Sequence, residues 1–259
     1  LAIRRLLPPR GARLLDIGAG FGRLADLYAG YDEVVLLDYS RSQLEYARGR
    51  LGDERYVYVA ADIYRLPLAD AAVDATVMVR VLHHLADVPL ALRQIARVTR
   101  GGGTFLLEFA NKRHLKNILR YALRRGPNPF APEPYEFAPL HYDFHPAWVL
   151  ARLREAGMRP GARRSVSLLR SETLKRRLPA GLLVGLDGAL QRVTAPLAPA
   201  PSVFVRSALP PRPEGPLPPR AALFACPRCG APLATGPAED VCSACGGRWP
   251  IVNGVHVFK

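Results

Sequence analysis

The stretch Leu14-Leu-Asp-Ile-Gly-Ala-Gly-Phe-Gly-Arg-Leu24 constrains this chain more than any other. Leu14, Leu15 and Ile17 form a short apolar run, and Gly18, Gly20 and Gly22 follow at alternate positions before an amphipathic stretch that starts at Arg23. The pattern predicts a buried strand, a tight turn and a helix start, with the helix continuing over Leu24 to Tyr31. Glycines in such a turn admit positive φ and a close ligand, and the helix N-terminus behind them offers unpaired N–H groups to an anion. The expectation is a cradle for a nucleotide-type cofactor.

The dinucleotide fingerprint needs glycine or alanine three residues after its second glycine, and Arg23 stands there instead. The spacing Asp-x-Gly-x-Gly-x-Gly, with Asp16 inside the strand, resembles the first motif of class I S-adenosylmethionine-dependent methyltransferases. Other Rossmann-like sites, or a turn without ligand, are the alternatives at this point.

Further along, Val34 to Leu37 is an apolar run that ends in Asp38, where an acid can accept hydrogen bonds from ribose hydroxyls. Ser40 is the expected N-cap of a helix over Ser40 to Leu51. Strands are expected at Tyr56 to Ala60, Ala72 to Val79 and Thr104 to Phe109. A helix at Asp87 to Val98 is expected to end at Gly101-Gly-Gly103. Strict alternation of strands and helices implies a doubly wound, mostly parallel sheet with its ligand at the C-terminal strand edges.

The resemblance implies a seven-stranded Rossmann-like sheet whose last two strands, Arg163 to Leu169 and Ser202 to Val205, are antiparallel at the edge. It also implies cofactor contacts from Asp16, Gly18, Ala19, Gly20, Gly22, Asp38 and Tyr39. Asp62 would face the adenine amino group and the Ile63 N–H a ring nitrogen; a plain turn or cap role for Asp62 is the alternative. Arg80 departs from the family, where that position is usually small or uncharged. It either selects an acidic acceptor or points to solvent. His83 and His84 read as packing and hydrogen-bonding residues of the loop, because no carboxylate or cysteine lies at ligand spacing nearby; a metal or base role is the alternative.

Residues 110–146 read as an insertion. Within it, Asn111 to Arg125 holds Lys112, Arg113, Lys116, Arg120, Arg124 and Arg125 with no acid, interleaved with Leu115, Ile118 and Leu119. This is an amphipathic helix pattern whose basic side is a phosphate-binding face or solvated surface. In the family the following segment, rich in proline and aromatics, forms part of the acceptor pocket or lid. His141, Tyr142 and His145 are the candidates for a general base if the acceptor needs one. A mostly apolar helix is expected over Leu178 to Val193.

The C-terminal part begins with a proline-rich stretch (209–222), read as a semi-rigid linker. All four cysteines lie beyond it, as Cys226-x-x-Cys229 and Cys242-x-x-Cys245 with twelve residues between. That spacing fits tetrahedral zinc, with iron or two disulfides as alternatives. Some thirty residues bury too little surface to fold alone, so a structural metal would supply the missing stability. Residues 223–259, closing on Pro250-Ile-Val-Asn-Gly254, resemble the small zinc-binding activator subunit that partners RNA- and protein-modifying methyltransferases. The resemblance implies that this zinc ribbon could dock on the catalytic part, residues 1–208.

The 259 residues carry a formal charge of +14 and are 49% apolar. The charge is uneven: residues 1–110 hold 14 Lys/Arg against 13 Asp/Glu, and residues 111–259 hold 22 against 9. A basic half suggests a polyanionic partner, either nucleic acid such as RNA or an acidic membrane surface, or else a surface that simply uses arginine freely. No apolar run reaches the ~18 residues of a membrane span. The first ten residues lack the apolar core of a secretion signal, and a cytoplasmic protein is expected. The resemblance implies methyl transfer from S-adenosylmethionine by direct displacement. The acceptor would be a small molecule, favoured by the aromatic segment and by the lack of an Asn-Pro-Pro-Tyr-type motif after the fourth strand, or else RNA or a translation component. A fold retained for binding without turnover is the third reading.

Overall fold

The computed structural model describes residues 2–168, 179–194, 197–213 and 215–259. Their order begins with α1 (Ala2–Leu6), β1 (Gly11–Ile17), β2 (Tyr31–Asp38), α2 (Arg41–Leu51), β3 (Tyr56–Ala61), β4 (Val73–Met78), α3 (Val88–Val98) and β5 (Thr99–Ala110). It continues through α4 (Leu115–Ala122), β6 (Tyr135–Ala138), β7 (His141–Asp143), α5 (Pro146–Glu155), β8 (Arg159–Val166), α6 (Ala180–Val193) and β9 (Ser202–Ala208). Four short strands close the chain: β10 (Ala234–Thr235), β11 (Glu239–Val241), β12 (Arg248–Val252) and β13 (Val255–Phe258).

The apolar runs of β1 to β4 become the inner strands because both of their faces are covered. Alternate residues feed two separate cores: Leu15, Ile17, Val35, Leu37, Val57 and Val59 pack on one side, Leu14, Leu36, Tyr58 and Ala60 on the other. The sheet order is β10-β11-β12-β13-β3-β2-β1-β4-β5-β9-β8. β1 pairs in parallel with β2 and β4, β2 with β3, and β4 with β5, whereas β9 is antiparallel to both β5 and β8.

The expected seven strands are all present, and the sheet is larger than expected. Strand β13 lies parallel to β3, pairing Val255 with Tyr58 and Phe258 with Ala61, so the sheet reaches eleven strands. Phe224, Trp249 and Phe258 join the same core as Leu66 and Leu68. The stretch read as a linker is fastened to the body at several of its described residues. Leu209 is buried and exchanges backbone hydrogen bonds with Gly102 and Gly103, Arg13 donates to the Pro218 carbonyl at 3.0 Å, and Arg220 meets Glu33 at 3.3 Å.

Several local expectations shift. The helix expected over Leu24 to Tyr31 is only a 3₁₀ turn, Ala25–Tyr28, because Tyr31 already starts β2. The glycine run at 101–103 lies inside β5, α3 having ended at Val98. The strand expected at Arg163 to Leu169 begins earlier, at Arg159, and ends at Val166; Leu169 lies outside the described residues, as does Leu178 at the start of the expected apolar helix. Ser40 and Asp87 cap α2 and α3 by accepting from the Gln43 and Leu90 amides.

Candidate functional site

The glycine turn sits at the C-terminal end of β1, between β2 and β4. Its backbone is fixed by the Gly18 and Ala19 N–H groups, which donate to the Leu37 carbonyl at 2.8 and 3.1 Å. The three glycines meet different surroundings. A Cβ on Gly18 would stand 2.1 Å from Val81 Cγ2, and one on Gly22 2.8 Å from Leu51 Cδ1, so both are packed against protein. A Cβ on Gly20, at φ +53°, would meet nothing within 4 Å. The turn is therefore clamped at both ends and open in the middle.

Asp38 closes one side of that opening. Its Oδ2 accepts the Gly20 N–H and its Oδ1 the Ser40 N–H, both at 2.8 Å, which ties the end of β2 to the turn. Asp16, 2% exposed, lies within β1 just before the turn, and its Oδ2 has no hydrogen-bond partner. Burial pushes its carboxyl up to about 7, with the Tyr28 hydroxyl and Arg23 opposing and the Asp38 charge adding to the rise. An unsatisfied buried carboxylate oxygen is costly unless a ligand completes it. A ligand with cationic groups and a ribose fits this donor set: Asp16 toward positive charge, Asp38 toward hydroxyls, and Gly20 leaving room for close approach.

The remaining expected cofactor residues lie on the neighbouring strand ends. Asp62 caps a 3₁₀ turn, Ile63–Arg65, by accepting the Tyr64 N–H at 2.9 Å, and Ile63 is buried beside it. The cap role weighed for Asp62 is thus present. Tyr39 follows Asp38 with its ring exposed, and the Lys259 ammonium stands 3.7 Å from the ring centroid.

On the far side of the turn, a cleft of about 580 Å³ opens above the ends of β4 and β5. Arg23 and Leu24 of the turn border it, together with Arg80, His83, Glu108, His141, Tyr142 and Asp143. Arg80 holds φ +63°, and its N–H donates to Glu108 Oε2 at 2.8 Å. The other Glu108 oxygen accepts the Ser202 hydroxyl. Glu108, 7% exposed, therefore holds the strained Arg80 backbone at the cleft wall. The sequence reading overlooked Glu108 and Val81. A lone acid inside the apolar run Phe105-Leu-Leu-Glu-Phe109 was the available signal for the first; a valine three residues beyond β4 gave none for the second.

His83, His84 and His141 gather at the cleft rim, with ring centroids 4.0 Å apart for the first pair and 4.7 Å for His84 and His141. Burial, then the charges of His84, Arg80 and His141, hold His83 down to about 4. His83 is neutral at pH 7. The base candidates separate here: His141 and Tyr142 line the cleft, whereas His145 is the N-cap of α5, its Nδ1 accepting from Ala147 N at 3.2 Å, and is not among the lining residues. A capping role occupies the lone pair that a base would need.

The four cysteine sulfurs all lie within 4.8 Å of one another, Cys226 and Cys242 buried, Cys229 and Cys245 exposed. The Cys226–Cys245 and Cys229–Cys242 separations are 3.6 and 3.5 Å, near the ~3.8 Å edge of a tetrahedron with ~2.3 Å zinc–sulfur bonds. The four thiols thus fit one tetrahedral ion. Each knuckle turns through a positive-φ glycine, Gly230 and Gly246, whose amides donate to Cys226 and Cys242 carbonyls.

Comparison with known proteins agrees with this geometry. Residues 15–107 match a family described as "Methyltransferase domain". The 27-O-demethylrifamycin SV methyltransferase of Amycolatopsis mediterranei is 39% identical over 109 residues, which are 39% of this chain and 40% of that protein. A demethylmenaquinone methyltransferase of Roseiflexus is 36% identical over 111 residues, 41% of this chain and 47% of the relative. The chain thus spans less than half the length of these relatives. The structure of an S-adenosylmethionine-dependent methyltransferase from Mesorhizobium loti superposes with a TM-score of 0.57 at 18% identity, covering 80% of this chain and 95% of the other. No helix among the described residues is long and apolar enough to cross a membrane. Residues 15–107 thus match a methyltransferase domain, and the chain shares the Rossmann-like fold of an S-adenosylmethionine-dependent methyltransferase.

Proposed function

We propose that this protein transfers the methyl group of S-adenosylmethionine to a small molecule held in the cleft above β4 and β5. The observation that carries the reading is the juxtaposition of an open glycine turn, the unpartnered Asp16 oxygen and the tethered Asp38 with a separate cleft of mixed polar and apolar lining bordered by the same turn. In this reading Asp16 faces the cationic methionine portion, Asp38 accepts from the ribose, and Gly18, Ala19, Gly20 and Gly22 shape the turn. Tyr39, Asp62 and Ile63 border the adenine side, and Arg80 stands between cofactor and acceptor. The chemistry is direct displacement at the sulfonium methyl: the acceptor's lone pair forms the new bond to the methyl carbon as the carbon–sulfur bond breaks. The protein's contribution is to hold the two within ~3–3.5 Å and in line. Where the acceptor carries a proton, the His141 imidazole would receive it, while the Tyr142 hydroxyl, pushed up by desolvation and then by Glu136, keeps its own proton and can only hydrogen-bond.

Both named relatives act, by their names, on small molecules, a demethylated rifamycin and demethylmenaquinone, which supports the same acceptor class here. The cysteine module, residues 223–259, would hold one structural zinc through Cys226, Cys229, Cys242 and Cys245. Its β13 would dock it on the catalytic part as a continuation of the sheet.

Asp38→Ala removes the expected ribose contacts and two backbone anchors, and should weaken S-adenosylmethionine binding at least tenfold by calorimetry. Affinity equal to that of the unsubstituted protein would overturn the Asp38 assignment. Transfer of labelled methyl into a fractionated cell extract tests the acceptor. Label in the small-molecule fraction supports the proposal, and label in RNA or protein would instead make the basic half and the cysteine module the acceptor platform.

A further inference from the structure

Helix α4 is amphipathic, yet none of its residues is buried. Leu115, Leu119 and Leu123 recur every four residues on one side and are 51, 56 and 66% exposed. A helix that presents such a stripe normally covers it against the body. Here the stripe forms one wall of a groove of about 700 Å³, whose other wall is Leu168, Pro199 and Pro201. The His114 imidazole and the Lys116 and Arg120 side chains stand along its edge.

The groove is not isolated. Ser167 and Pro201 line both it and the cleft above β4 and β5, so the groove adjoins a cleft of mixed lining at these two residues. The cleft end offers Arg80, His83, Glu108 and His141; the groove end offers leucine and proline. From Leu115 to Leu123 the apolar wall runs eight residues, or about 12 Å of helix. A ligand matching both ends has a polar head and a long apolar tail.

We propose that the acceptor is an amphiphile whose head seats in the cleft and whose hydrocarbon tail lies along α4 in the groove. This rests on the reading of the cleft as the acceptor site. The tail removes the leucine stripe from water, which contributes affinity in proportion to the apolar area covered, while the head is held for transfer. The cations at the groove edge, Lys116 and Arg120, keep the α4 face soluble when the groove is empty and lie beside the tail through their methylene stems when it is filled.

The test uses the full-length protein and a dansyl-labelled dodecanoate as probe, with dansylglycine as the tailless control and S-adenosylmethionine affinity measured in parallel. Saturable binding of the dodecanoate, at least tenfold tighter than dansylglycine, is expected. Leu119→Asp should weaken it at least tenfold, and Leu119→Met should retain it. Because Leu119 is exposed, neither change should alter S-adenosylmethionine affinity or the melting temperature. Equal binding of probe and control, or unchanged probe affinity in Leu119→Asp, would overturn the proposal. So would sedimentation with phosphatidylglycerol vesicles without binding of the monomeric probe, which would make α4 a membrane-docking face. A dimer abolished by Leu119→Asp, again without probe binding, would equally overturn it in favour of a second copy. Failure of S-adenosylmethionine binding alone would sink the methyltransferase reading and leave the groove result standing.

Discussion

At Asp16 a single carboxyl joins burial and charge to the proposed binding of the cofactor. Its value, raised from 3.8 to about 7 chiefly by burial, means that the folded chain holds the proton more tightly than the unfolded chain. Its contribution to stability is therefore complete below about pH 4 and is lost as the pH rises through about 7. A cationic ligand facing Asp16 reverses the preference, because it favours the ionised carboxylate. S-adenosylmethionine should consequently bind about tenfold more tightly at pH 8 than at pH 6, with a proton released near pH 7, and Asp16→Asn should flatten the profile. Calorimetry in buffers of different ionisation enthalpy reads both effects; a flat profile for the unsubstituted protein would place Asp16 outside the cofactor site. The spacing of Asp16, Asp38 and the glycines was legible in the sequence because strand-turn geometry is local. Glu108 was not, since its role depends on Ser202 and on the strained Arg80 backbone, which only the folded sheet brings to it.

The strand-turn element between β1 and β2 divides its work among three glycines that look equivalent in sequence. Gly18→Ala adds a Cβ 2.1 Å from Val81 Cγ2 at a φ of +73°, so strain and overpacking act together. A loss of about 2–4 kcal/mol in denaturant unfolding is expected. Gly20→Ala meets no protein atom and bears only the left-handed backbone cost of about 1 kcal/mol. The folded variant should nonetheless lose S-adenosylmethionine affinity at least tenfold, because the new methyl fills the open middle of the turn. Native affinity in Gly20→Ala would move the cofactor away from this turn. Element boundaries elsewhere were less legible for a related reason: Tyr31 and Thr99 are drawn into strands by neighbours distant in sequence, Gly11 beside Tyr31 and Val73 beside Thr99. Local apolar periodicity carries no trace of such pairings.

In the whole molecule, the cysteine module shares a core with the methyltransferase sheet. The proline-rich stretch before it suggested a tether, because composition reports stiffness and says nothing of what a segment lies against. Strand β3 is buried along its entire length, and β13 occupies what would otherwise be its open edge. Phe224, Trp249 and Phe258 cover Leu66 and Leu68 in the same cluster. Inside the module, Asp240 is fully buried with His256 2.7 Å away, a pair that only the folded module can keep in place. Strands of two to five residues cannot hold that arrangement by themselves, so the proposed ion, held by the four thiols, would stabilise β13 and, through it, the edge of β3. Removal of the metal by a chelator, or Cys226→Ser with Cys242→Ser, should therefore lower the melting temperature of the entire chain. It should also speed hydrogen exchange at the β3 amides, Tyr56 to Ala61, by tenfold or more, while β4 and β5 on the other side of β1 change less. Were the module a ribbon on a tether, exchange would rise only beyond residue 223 and β3 would keep its protection. The difference matters for the proposed cofactor site, because β3 runs directly into Asp62 and Ile63, and a loosened β3 edge would reach its adenine side without altering a single residue there.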